Sequence, residues 1–191
     1  MKEAEEFCPK NKEEWRRWLE LNHLNQDAIW LIFHKKTSPN YNLSWSESVD
    51  ASLCYGWIDS TKRAIDKDRY KQYFTKRKAK SNWSKINKDK VAILIAKGLM
   101  ATAGYKSIEI AKENGSWTIL DGIENIEIPK DLKQELMRYN EAIAYFENLS
   151  KSNKKILLHW VNSAKRTETR QKRIMEIVES SRQQTKPKQL R

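Results

Sequence analysis

The chain has 191 residues, 39% of them apolar and eight of them Trp, with only 5 Gly and 4 Pro. That is enough apolar bulk for one packed domain with a helical extension, and too little Gly and Pro for a disordered or fibrous chain. Lys and Arg total 37 against 25 Asp and Glu, a formal charge of +12, and no apolar run approaches the length that spans a bilayer.

The opening MKEAEEFCPK carries three glutamates and no apolar stretch, unlike a secretory signal. Cys8 and Cys54 are far apart in sequence, which fits two reduced thiols and a cytoplasmic location. Residues 11–22 have the spacing of an amphipathic helix, with Trp15, Trp18, Leu19 and Leu21 among charges. AIWLIFHKK (28–36) is a nearly continuous β-prone run, the pattern of a strand buried on both faces. Ser44 or Ser46 can cap a helix through about Tyr55, and Gly56 follows where a positive φ is wanted.

WIDSTKRAI (57–65) and RYKQYF (69–74) both alternate and flank the turn DKD, so they pair as an antiparallel hairpin. Helices follow over Ser84–Lys97 and Thr102–Asn114, each with Ser or Thr in front and Gly behind. Pro129 opens a helix to Leu149 along the stripe Leu132, Leu136, Tyr139, Ile143 and Phe146. Residues 152–164 form another, and Thr167 caps a last one to Ser180 with Ile174, Ile177 and Val178 inward. The expected architecture is α+β: a small antiparallel sheet of about three strands packed by helices, followed by a helical C-terminal unit. The expected divisions are 1–125, 126–182 and a basic frayed tail over 183–191.

The charge is unevenly placed. Residues 60–97 hold 13 basic and 3 acidic side chains, and residues 150–191 hold 12 and 3; the remainder is net acidic. Two concentrated positive segments point to an anionic partner, with nucleic acid or a phosphate-bearing ligand as the candidates. In the first segment Arg77, Lys78, Ser81, Trp83, Ser84 and Asn87 form the expected contact set, with Ser81 and Ser84 placed to build an anion site at a helix start. The competing structural expectation is that the aromatics fill a core, the lysines are solvated and the serines merely cap. In the second, Lys165, Arg166, Arg170 and Arg173 supply auxiliary charge around a helix–break–helix outline, while Glu168 with Lys172 is an ordinary i, i+4 pair.

Asp59 is the best single candidate for catalysis, because a carboxylate in an aromatic-flanked strand needs a partner or a shifted pKa. Alternation puts it on the face of Trp57 and Thr61, where Arg63 or Arg77 can form a structural ion pair with it. An enzyme pocket around Trp57, Asp59, Ser60 and Asn87 is therefore the alternative to a binding protein. No second carboxylate stands at acid/base spacing, His23, His34 and His159 lack metal-ligand spacing, and no phosphate loop or nucleophile elbow occurs, so no cofactor is expected.

CYGWIDS (54–60), FTKRKAKSNWSKIN (74–87), GLMATAG (98–104) and AKRTETRQKRI (164–174) together resemble the YdeI/OmpD-associated, or bacteriocin-protection, family, from the Trp15/Trp18 helix to Ile174. Arg77 matches the family pattern, while Lys76 stands where that pattern usually has proline. The resemblance implies a role in resistance to bacteriocins or antimicrobial peptides and carries over no catalytic residues.

Overall fold

The computed structural model describes residues 4–190 and divides the chain into two units, one ending at Ile119 and one beginning at Leu120. The first unit contains β1 (Glu6–Phe7), α1 (Lys12–Asn22), β2 (Ala28–His34), α2 (Trp45–Cys54), β3 (Trp57–Ala64), β4 (Arg69–Lys76), α3 (Lys85–Ala96) and α4 (Thr102–Glu113). The strands form one sheet in the order β1-β2-β4-β3. Pairings β2–β4 and β3–β4 are antiparallel, as the hairpin pattern requires, whereas β1 joins β2 in parallel. The sheet is thus mixed and has four strands rather than three. The extra strand is two residues long, too short to alternate, and only tertiary pairing reveals it.

Local chemistry explains most boundaries. Asn11 accepts from the Glu14 amide to start α1. Ser44 and Glu47 form a reciprocal capping box at α2. Gly56, Gly98 and Gly115 take positive φ beyond α2, α3 and α4. The start of α4 differs from expectation: Ala101 is its N-cap and no side chain caps it, so Thr102 is already helical. What fixes this end is packing, since Ala101 N donates to Cys54 O at 3.0 Å and a Cβ on Gly104 would stand 2.3 Å from that same oxygen.

One face of the sheet carries the core. Ile29, Leu31, Phe33, Trp57 and Phe74 pack with Trp15, Leu19, Val49, Leu53, Trp83 and Ile108. Trp15 meets Phe74 edge-on at 5.4 Å, and Trp18 meets Trp57 at 5.8 Å. Burial of rings of this size is the largest favourable contribution to the unit.

The second unit contains α5 (Asp121–Glu124), α6 (Lys130–Leu136), α7 (Asn140–Asn148), α8 (Lys151–Asn162) and α9 (Thr167–Arg182), then a 3-10 turn at Lys188–Leu190. The helix expected over 129–149 is two helices, broken where Tyr139 turns extended at φ −135° and ψ 112°. No Gly or Pro marks the break; the buried set is Leu132, Leu136, Ala142 and Phe146, Ile143 packs against it half-buried, and only Tyr139 of the expected stripe leaves the seam. At α9 the cap is Arg166, with no side-chain bond, and Thr167 is the first helical residue. Ile174, Ile177 and Val178 are buried as their spacing predicts. The 183–190 segment turns back instead of fraying: Lys188 N donates to Glu176 and Leu190 packs against the core.

Candidate anion-binding site

Arg77 follows β4 directly, and its amide donates to Gly56 O at 2.9 Å. The loop after it is tied down by Ser81, whose amide and hydroxyl both reach Lys78 O. From α4 and beyond, Asn114 and Ser116 donate to Ala79 O. The Arg77 guanidinium lies 3.8 Å above the Trp83 ring and donates from Nη2 to Asn82 O. Its Nε and Nη1 are buried with no hydrogen-bond partner among the described residues. Burial lowers its pKa to about 10, against the opposing pull of the Asp59 charge. At neutral pH it is a cation held in a hydrophobic stack with two donors unused.

Beside it is a concavity of about 250 Å³ lined by Lys76, Arg77, Lys78, Lys106, Ser107 and the Tyr55–Gly56 turn. No Asp or Glu among the described residues lines it. Lys76 is engaged with Leu24 O and Asp27, which leaves Arg77, Lys78 and Lys106 to set the local charge. An oxyanion is the ligand such a wall stabilises.

The other expected contacts are placed differently. Trp83 is 1% exposed, contacts Trp117 at 4.9 Å and belongs to the core; it supports Arg77 and offers no free face to a base. Ser84 accepts from the Asn87 amide as the cap of α3, so these two residues follow the capping alternative. Lys106, Ser107 and Tyr55 went unnoticed in the sequence, because on a solvated helix or at a helix end they carry no distinguishing spacing.

The pocket around Trp57, Asp59, Ser60 and Asn87 is not assembled. Trp57 is fully buried, with its indole N–H on His23 O; the Ser60 hydroxyl lies 3.5 Å from Tyr73 O; Asn87 sits in the first turn of α3. Asp59 does line a hollow of about 290 Å³ with Trp45, Lys62, Tyr70 and Gln72. Its partners are neutral, Trp45 Nε1 at 2.8 Å and Gln72 Nε2 at 2.9 Å, and neither Arg63 nor Arg77 forms the ion pair expected from sequence. A register shift between Asp59 and Lys62 sets Lys62 opposite Gln72, displacing Thr61 from the face that simple alternation gave it. A larger hollow, about 380 Å³, lies between α1, α2 and α3. There Lys90 pairs with Asp50, Arg16 donates to Leu99 O, and burial raises the Cys54 thiol, so it is not a reactive centre.

In the second unit Arg170 grips Asp131 with two parallel bonds and also donates to Val161 O and Asn162. Arg173 donates to Trp160 O and Ser163 and lies 5.3 Å from the Trp160 ring. Both close the joints between helices. Lys165 and Arg166 are exposed. Among the described residues no cluster of His, Cys, Asp and Glu is suited to a metal, and no helix is long and apolar enough to cross a membrane.

Residues 7–107 match the family described as a domain of unknown function (DUF8412), and residues 125–184 match the family described as Bacteriocin-protection, YdeI or OmpD-Associated. Neither a curated protein nor a solved structure matches the chain. Of the four motifs that resembled the second family, only AKRTETRQKRI falls within 125–184; the three others lie in the region of the first. The chain therefore belongs to the DUF8412 family through its α+β unit, and its helical unit is similar to the bacteriocin-protection, YdeI or OmpD-associated family.

Proposed function

We propose that the protein is a non-enzymatic binding protein for an anionic, phosphate-bearing partner, held at the Arg77 concavity. The observation that carries this reading is an incompletely bonded guanidinium beside a wall that has several cations and no carboxylate. A buried cation with no carboxylate paired to it is costly, and an oxyanion bound in the concavity beside it offsets that cost through its charge. Lys78 and Lys106 contribute charge, and Ser107 is close enough to line the bound group. Lys165 and Arg166 remain available as auxiliary charge, whereas Arg170 and Arg173 act inside their own unit. Two unpaired thiols suit a reducing cytoplasm. The description of the second family, bacteriocin protection, supports a stress or antimicrobial-resistance role.

Inorganic pyrophosphate is the direct probe. At constant ionic strength it should raise the melting temperature of the wild-type chain, since a ligand that binds only the folded state stabilises it. Arg77→Met and Lys106→Met should each lose that rise. An equal rise in all three proteins, or none in the wild type, would sink the proposal.

A further inference from the structure

The sheet has a second face that the core does not use. Trp30 on β2 and Tyr73 on β4 are paired directly across the two central strands, with ring centroids 4.8 Å apart. Trp30 is only 7% exposed yet is not part of the core cluster. Cations cover it instead: the Arg63 guanidinium carbon and the Lys71 ammonium each lie 4.9 Å from its ring centroid. Lys71 is also paired with Glu6. Arg63 is exposed, and the indole ring is its partner; no carboxylate of the described residues holds it.

We propose that this face is a binding platform for single-stranded nucleic acid, with Tyr73 and Trp30 stacking bases and Arg63 and Lys71 contacting phosphates. Two aromatic rings on the central strands of a four-stranded sheet, tilted 53° to each other, offer separate faces to splayed bases, because every base has a π-face and stacking on rings already held in place costs little ordering. Duplex bases are already stacked on one another, so the platform discriminates against double strands. Arg63 is the movable element. In the free protein it covers the indole; when a base takes that position, the guanidinium moves to a phosphate, exchanging a cation–π contact for a charge-assisted hydrogen bond. Of these residues, Arg63, Lys71 and Tyr73 lie in the positive segment over 60–97; Trp30 joins them from a strand more than 40 positions before Tyr73.

The proposal shares an anionic partner with the Arg77 reading but uses a different surface, and the two fail separately. Fluorescence anisotropy with a labelled oligothymidylate, its RNA counterpart oligouridylate, an abasic strand of equal length and a duplex tests it. The single strands should bind tighter than the abasic strand and the duplex. Tyr73→Leu and Arg63→Ala should weaken single-strand binding by about tenfold or more while leaving the pyrophosphate response intact; circular dichroism melts verify that both variants fold. Comparable binding by the abasic strand, or wild-type affinity in both variants, overturns the proposal. A pyrophosphate response lost in Arg77→Met alongside normal single-strand binding keeps the two sites distinct.

Discussion

Arg77 and Arg170 come from the two basic segments, one in each unit, and their surroundings treat the same guanidinium in opposite ways. Arg170 is met by Asp131 in a fork-to-fork pair with further carbonyl and amide acceptors, and the Asp131 hydrogen bond raises its pKa. Arg77 is stacked on an indole, bonded once, and shifted down by burial. A run of positive residues in a sequence therefore mixes cations fully bonded inside the fold with cations that the fold leaves incompletely bonded. Only the acceptors around each head group tell them apart.

The largest expected effect falls on the support beneath Arg77. Trp83→Ala should lower the unfolding free energy by roughly 3–5 kcal/mol in urea titrations, the range for truncating a buried aromatic ring. A loss below about 1 kcal/mol would place Trp83 on the surface and collapse the contrast. Next in size is Arg170→Met, which strands Asp131 and opens the joint between α6 and α9. The partners are 27% and 45% exposed at the side chain, so solvent screening reduces the expected cost to about 1–2 kcal/mol.

A pH series sharpens the same point. Hydrogen bonding from Arg170 holds the Asp131 carboxyl below its usual range. Its contribution is present above the unfolded value near 3.9 and is lost as pH falls through the lower folded value. Acid melts of the wild type should therefore steepen below about pH 4, and Arg170→Met should show a shallower decline. Equal declines would show the pair to be idle.

The smallest stability effect is expected at Arg77. Folding disfavours its charged form, so its penalty is fully present below about 10 and is relieved only as pH rises from there toward the ordinary arginine value. At neutral pH Arg77→Met removes that penalty along with one hydrogen bond, and the unfolding free energy should change by less than about 1 kcal/mol. A loss as large as that of Arg170→Met would mean that both arginines are structural.

Much of the fold was legible because caps and glycines announce helix ends locally, as at Ser44 with Glu47, Ser84 and Gly98. What was hidden depended on partners remote in sequence. The strand at Glu6–Phe7 exists through its pairing with Trp30 and Leu31. The uncapped start of α4 exists through contact with Cys54 O, and the break at Tyr139 carries no Gly or Pro signal. The candidate site followed the same rule. Charge density drew attention to Arg77 and Lys78, but Lys106 joins them only when α4 folds against the chain at Gly56. Composition could not separate Trp83, which is core, from Tyr73, which is not.

Gly56 lines the concavity and Gly104 follows Ala103, which also lines it; the first needs a positive φ and the second the absence of any side chain. A Cβ on Gly56 would stand 2.9 Å from Ala103 O, and one on Gly104 2.3 Å from Cys54 O. Main chain thus rests on main chain on this side of the hollow, and no rotamer change can widen or close it there. The lysine side chains around the hollow can be exchanged without touching these contacts, whereas the backbone shape on this side depends on the two glycines.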